Sequence, residues 1–258
     1  MKFDFSTPMT MYELIAMVLS TLALIMPVIR WGYDTFVKKL KIDFLPSGMI
    51  TLFHNKSGSY ISFGGVYEAI NKSTTIEDIS AKVIRKSDNA TLSLTWSIFP
   101  SPVYRTVGGN YESSFETAHP FKVEADTLAP AFIEFRNTQT NMEEVSDEIR
   151  LPVVNASSPI LYQPNASLPL VDAGVKSLPE YAQAKLALND HFFWKHGDYE
   201  ILLITKHSKG ILEKTFNISL SMEESAKLRS NIDSILLIHV AEHFRLVHTL
   251  NTVRKGFE

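Results

Sequence analysis

Apolar residues are distributed along this chain in three regimes. From Leu14 to Ile29, sixteen residues of Leu, Ile, Met, Val, Ala, Ser, Thr and one Pro run without a charge. No face of a helix over this stretch would be polar, which is the signature of a segment surrounded by hydrocarbon. From Ile42 to Pro100 the period shortens to two. Ile50 and Leu52 alternate with Thr51 and Phe53, and Leu92, Leu94, Trp96 and Ile98 alternate with Ser93, Thr95 and Ser97. This predicts strands buried on one face, with turns at His54–Ser59 and Ser87–Ala90. The Gly64–Gly65 pair inside the second strand predicts a bulge or a close backbone approach. Short strands are predicted again at Phe121–Ala125 and Ala131–Phe135, then at Tyr199–Lys206 and Ile211–Leu220 across the turn His207–Gly210.

Between these strands, Asn137 to Lys176 is polar and punctuated by proline, and it reads as a long insertion. Ser177 with Glu180 three residues on predicts a short capped helix to about Leu188. Ser221 with Glu224 predicts a second helix running to about Val253. The domain plan is therefore an anchor and neck over 1–41, a mainly β body over 42–220 with its insertion at about 137–196, and a C-terminal helix over 221–258.

At about 1.5 Å per residue the apolar run covers about 24 Å, short of a hydrocarbon core of roughly 30 Å. Met9, Met11 and Tyr12 lengthen it upstream, and Trp31 and Tyr33 supply interfacial aromatics downstream. The anchor residues are Leu14, Ile15, Leu19, Leu22, Leu24, Ile25, Val28, Ile29 and Trp31, with Pro27 tolerable in the last turn of a membrane helix. A cleaved signal peptide fits poorly, because Lys2 is offset by Asp4 and the run exits through Met26, Pro27 and Val28 rather than a small-residue site. A buried core helix is the other alternative. Arg30, Lys38, Lys39 and Lys41 follow the run, so the positive-inside rule places the N-terminus outside and the large domain in the cytoplasm. Residues 34–41 are expected to continue as a juxtamembrane helix or a plain stop-transfer flank.

Composition narrows the rest. A net charge of −3 supplies no basic field to hold nucleic acid. The chain has no cysteine, which excludes disulfides, thiolate metal sites and cysteine nucleophiles. Six Asn-x-Ser/Thr sequons, at Asn55, Asn71, Asn89, Asn155, Asn165 and Asn217, would be glycan acceptors were the domain outside. A β-rich chain that uses Asn in turns and Ser/Thr in strands also produces the tripeptide by composition. The acidic run Glu143, Glu144, Asp147 and Glu148 reads as a solvated loop.

Trp96 on a mid-domain strand and the segment Gly197-x-Tyr199-x-Ile201 resemble the core Trp and the Gly-x-Tyr-x-Cys segment of immunoglobulin-like sandwiches, with Ile201 in place of the cysteine. The resemblance implies an architecture and no activity. His239-x-x-Glu242-His243 resembles the inverzincin metalloprotease motif, which implies two histidine zinc ligands on one helical face with Glu242 as base. A continuous helix would place both histidines in the stripe of Leu228, Ile232, Ile235, Leu236, Val240, Val247 and Leu250, where a buried structural pair fits equally well. Only Glu258 is acidic downstream, and no third ligand is identified. Phosphate-binding glycine loops, nucleophile elbows and H-E-x-x-H are absent, and Gly108–Gly109 stand alone.

The expectation is a single-pass membrane protein whose body is a cytoplasmic immunoglobulin-like β-sandwich acting as a protein-interaction, sensing or scaffold module, with no cofactor and no evident catalysis. Its partners are membrane lipid and a protein, met through Phe192, Phe193 and Trp194, which read equally as the base of a core where the insertion rejoins the sandwich, or through Leu237, Ile238 and Phe244, which lie off the main stripe of the last helix. The alternatives are a zinc-dependent hydrolase and an outward-facing glycosylated receptor-type domain.

Overall fold

The computed structural model describes residues 10–107, 110–137, 140–164, 166–247 and 249–257, with side chains for all of these except 100–115. Lys2, Asp4, Met9, Gly108, Gly109, Asn165 and Glu258, which entered the reading above, lie outside the described residues.

The apolar run forms α1, Met11–Gly32, and one π-helical turn, Tyr33–Val37, continues it. Thr10 caps the helix: its Oγ1 accepts from Glu13 N, and the Glu13 carboxylate accepts from Thr10 N at 2.8 Å. Ser20 and Thr21 donate their hydroxyls to the carbonyls of Ala16 and Met17, so the only polar side chains in the middle of the run are satisfied within the helix. Among the described residues this is the one helix long and apolar enough to cross a membrane.

The body is built on β1 Lys41–Asn55, β2 Gly58–Ile70, β3 Thr74–Arg85, β4 Thr91–Val107, β5 Asn110–Thr117, β6 Phe121–Val123, β7 Thr127–Arg136, β8 Gly197–His207, β9 Gly210–Leu220 and β10 Val253–Gly256. All pair antiparallel in one sheet of order β10-β1-β2-β7-β4-β3-β8-β9, with β5 on β4 and β6 on β3. The sheet curls until its two ends nearly meet. Lys214 on β9 reaches Asp43 on β1 at 2.6 Å, and the Phe216 ring lies 4.7 Å from that of Phe257, just beyond β10. The concave side holds Phe44, Phe63, Tyr67, Phe135 and Ile201, all nearly inaccessible. Across it, the Tyr67 and Thr205 hydroxyls meet at 2.8 Å, so the buried polar atoms satisfy each other.

The expected glycine effect is real and has a geometric cause. Between Pro46 and Ile50 the register of β1 on β2 slips, and Gly48 in the slip has φ +87°. Opposite it, a Cβ on Gly65 would sit 2.2 Å from Phe44 Cζ and 2.7 Å from the Leu45 carbonyl oxygen. Only glycine lets the two backbones approach this closely.

Helices close one end of the sheet, here called the cap end. They are α2 Met142–Leu161, α3 Leu168–Lys176, α4 Pro179–Asp190, α5 Met222–Arg229, α6 Asn231–Leu236 and α7 Ile238–His243. The insertion, expected to be proline-rich and to hold one short helix, holds three, because Ser146, Val153, Ser157 and Leu161 make a buried face on α2 whose serines do not register as apolar. The acidic run occupies the first turns of α2, where Asn141 caps Glu144 N and negative side chains favour the helix dipole. The C-terminal segment is three short helices, broken at Ser230 and Leu237, and not one helix to Val253. After α7 the chain turns at Arg245, φ +53°, and returns to the sheet as β10.

Candidate functional site

The anchor residues lie on α1 with nothing over them. Leu14, Ile15, Leu19, Leu22, Leu24, Ile25, Val28, Ile29 and Trp31 are each at least 43% exposed, and no residue of the helix is buried. The core-helix alternative is thereby removed, since the protein covers none of this apolar surface.

The helix is nevertheless not loosely attached to the body. The β2–β3 turn holds it: Asn71, at φ +72°, donates its amide to the Lys39 carbonyl at 3.0 Å, and Lys72 Nζ donates to the Thr35 carbonyl at 2.9 Å. Asn71 is itself fixed by its N–H on Asp126 Oδ1 at 3.0 Å. Within the neck, Asp34 bridges Arg30 and Lys38 at 3.9 and 2.8 Å. The juxtamembrane helix expected over 34–41 stops at Val37, and Lys41 already begins β1. Sequence reading missed the pinning turn because Asn71 and Lys72 sit more than thirty residues from their acceptors.

The histidine pair does not converge. His239 Nε2 lies 2.8 Å from Ser157 Oγ, whose proton is given to the Val154 carbonyl at 2.9 Å, and burial followed by the nearby Arg150 charge holds the imidazole below its ordinary pKa. His243 is exposed and rests edge-on against Tyr162 at 5.5 Å, while Glu242 faces solvent. Val247 and Leu250, expected on the same buried stripe, lie past the helix and are exposed. Among the described residues no group of three His, Asp or Glu side chains could hold a metal ion.

The aromatic segment is a joint rather than a platform. Trp194 and Phe192 are 0% and 2% exposed, which removes both as contact surface, and Phe193 is half-buried. Trp194 Nε1 donates to the Phe53 carbonyl at 2.7 Å, and Ser225 on α5 donates to the Trp194 carbonyl at 2.7 Å, so one residue ties strand and helix together. Phe192 is held between the edge of His54 at 5.0 Å and the Arg229 guanidinium at 5.1 Å. Phe193 lies under Arg85, whose Nη1 donates to the Phe193 carbonyl and whose fork grips Asp88. That bidentate grip holds the Asp88 carboxyl down at about 2.

Leu237, Ile238 and Phe244 are half-buried on the outer side of the cap. Leu237 lines a groove of about 300 Å³ with Leu168, Val240, Leu246 and Val247. Asp172, Lys176 and Asp233 rim it. Burial alone would raise the Asp233 carboxyl, but Lys185 and the Tyr181 hydroxyl hold it below the usual carboxylate range. Apolar and charged side chains thus share its lining.

Of the sequons, Asn55, Asn71 and Asn217 have side chains held in hydrogen bonds to Tyr60, Lys39 and Lys86, whereas Asn89 and Asn155 are exposed. No family model, no curated protein and no solved structure matches this chain.

Proposed function

We propose that this protein is a membrane-tethered interaction module, anchored by a single pass of α1 and presenting a β-rich body with a helical cap to a protein partner. One observation carries the tether: a 22-residue apolar helix that, among the described residues, nothing else buries. Water leaves such a surface exposed only at large cost, whereas a bilayer does not. Arg30, Lys38, Lys39 and Lys41 favour a cytoplasmic body. The partner surface is the cap, through the helical insertion and α5–α7, and its best-formed part is the groove floored by Leu168, Leu237, Leu246 and Val247. We further read the curled sheet as related to immunoglobulin-like sandwiches, on the strength of Trp96 and Tyr199 on strands that both flank β3.

Protease protection tests the reading. The body is expected to resist protease in intact cells and to be digested in inverted vesicles. The reverse pattern, with a mass shift on deglycosylation traced to Asn89 or Asn155, would replace it with the outward-facing alternative. A partner is expected to co-purify from detergent extracts and to be lost in Leu237→Asp; a chain that purifies alone argues against the interaction role.

A further inference from the structure

We infer that the neck end of the sheet is itself a membrane-contacting surface, seated in the phospholipid headgroup layer, so that the body is docked on the bilayer and does not swing on its tether. The inference rests on the anchor reading of α1 and adds a second contact to it.

Chain length sets the distance. The helix that carries the apolar run Leu14–Ile29 continues through Val37, and β1 starts at Lys41. The three residues between them, four Cα–Cα steps, bridge at most about 14 Å even when fully extended. The actual gap is closed further, because Lys72 Nζ on the β2–β3 turn donates to the carbonyl of Thr35 in the π-helical turn, six residues or about 9 Å past Ile29. The Asn71 bond to Lys39 pins the same turn from the side. Headgroup regions are about 5–8 Å thick on each face of the hydrocarbon. A rim pinned to the π-helical turn just past the interfacial Trp31 and Tyr33 therefore meets that layer.

The rim has the composition such a position demands. Around it, on the adjacent strands β9, β1, β2 and β7, stand Ile211, Lys41, Ile70 and Leu128. Ile70 is the last residue of β2 and pairs with Lys41; Leu128 lies opposite Glu68, one residue into β7. Ile211 follows the β8–β9 turn, which is held to the start of β3 by the Ser208 N–H on the Thr75 carbonyl at 3.0 Å. Ile211, Leu128 and Ile70 are 63%, 61% and 38% exposed, each the outermost apolar side chain of its strand at this end. Lys41, Lys72 and Lys209 stand among them, where ammonium groups meet lipid phosphates while their stems lie on apolar surface. At the opposite end the helices cover the β1–β2 turn, while the β3–β4 turn with Ser87 stays exposed.

The absence of cysteine makes the test direct. Single cysteines in the full chain, at Leu19→Cys in the span, Ile70→Cys, Leu128→Cys and Ile211→Cys on the rim, and Ser87→Cys on the far turn, are labelled with an environment-sensitive fluorophore. The labelled protein is reconstituted into phosphatidylcholine–phosphatidylglycerol vesicles containing nitroxide lipids, with the spin label on the headgroup or on the acyl chain. The rim labels are expected to be quenched several-fold more than Ser87→Cys by headgroup nitroxide, and Leu19→Cys by acyl-chain nitroxide. If Leu19→Cys is quenched and the rim labels match Ser87→Cys, rim docking is overturned and the anchor stands. If Leu19→Cys is not quenched either, the anchor reading fails and takes the rim with it.

Discussion

The carboxamide of Asn231, with no exposed surface, donates to the carbonyl of His54 at 2.9 Å across the joint between the helical cap and the sheet. The same side chain donates to the Asn251 carbonyl and accepts the Asn251 N–H, both at 2.8 Å, so three backbone groups from two distant segments share one residue. Asn231→Ala would leave the His54 carbonyl without a partner in the buried joint and release both Asn251 groups at its part-exposed edge. Buried polar groups stranded in this way cost about 1–3 kcal/mol each. The urea midpoint of the full chain in detergent is expected to fall by the equivalent of about 3 kcal/mol, and Asn231→Asp, which sets a buried carboxylate oxygen against two carbonyls, should fall at least as far.

His54 itself makes the joint sensitive to acid. Its Nδ1 lies 3.0 Å from Ser59 Oγ, and its Nε2 has no partner among the described residues. Burial therefore pushes its pKa down, to about 4. In the unfolded chain the imidazole takes up a proton near its ordinary 6.5. Below that value the unfolded state binds a proton that the native state refuses, so stability is full above about pH 6.5 and declines as pH falls towards 4. Over that window the loss amounts to about 3 kcal/mol. Denaturant midpoints at pH 7.5, 6 and 5 should fall in the parent and flatten in His54→Met. A slope unchanged by the substitution would mean that another group carries it.

Gly65→Ala should be the least tolerated small substitution in the sheet. The new methyl would overlap the Phe44 ring and the Leu45 carbonyl oxygen, and the latter is backbone that cannot rotate away. Overpacking of this kind costs about 3 kcal/mol or more. Gly64→Ala meets only the Phe132 ring at 2.8 Å, which is 39% exposed and can swing outward, so its Tm should drop clearly less.

These glycines mark where sequence reading reached structure, and the helical cap marks where it stopped. Period-two alternation located the strands around Trp96 and the turn at Ser87–Ala90 because one face of each strand is apolar and the other is not. The same test failed on α2. Two of its buried positions are serines, Ser146 and Ser157, that satisfy themselves on the Lys56 and Val154 carbonyls, and Pro152 and Pro159 argue locally against a helix. The anchor was legible as composition, whereas the turn that pins it depends on Asn71 reaching Lys39 and Lys72 reaching Thr35, pairings that no local pattern announces. The aromatic triplet was legible as the base of a core as well as a partner platform, but its tie was not, because Trp194 finds its hydrogen-bond acceptor on β1, 141 residues away in sequence.

Arg85 should resist even conservative change. Its guanidinium is 5% exposed as a residue, grips Asp88 through Nε and Nη2 at 2.8 and 2.7 Å, and gives Nη1 to the Phe193 carbonyl at 2.6 Å. A lysine ammonium cannot form the two-point fork and stack on the Phe193 ring together. Arg85→Lys is expected to lower stability by about 2 kcal/mol. It should also expose the segment 191–196 to limited proteolysis before the sheet unfolds, because that segment joins cap to sheet. Global unfolding with no early cleavage would show that Arg85 stabilises the sheet alone.

The proposed orientation of the body rests on charges that can be moved without touching the fold. Lys39 and Lys41 are exposed or half-exposed on the body side of α1, and only the Lys39 backbone carbonyl, not its ammonium, holds the β2–β3 turn. Arg30 is likewise exposed, its guanidinium 3.9 Å from Asp34. Replacing Arg30, Lys39 and Lys41 by Gln while adding three lysines ahead of Thr10 reverses the Lys/Arg bias across the span, which is the quantity that insertion follows. A substantial fraction of molecules should then carry the body on the other side, read as protease sensitivity in intact cells. Lys38 is left in place, because its 2.8 Å bridge to Asp34 closes the π-helical turn. If the redistribution of charge leaves protection unchanged, orientation is determined by folding of the body before insertion and not by the charges beside α1.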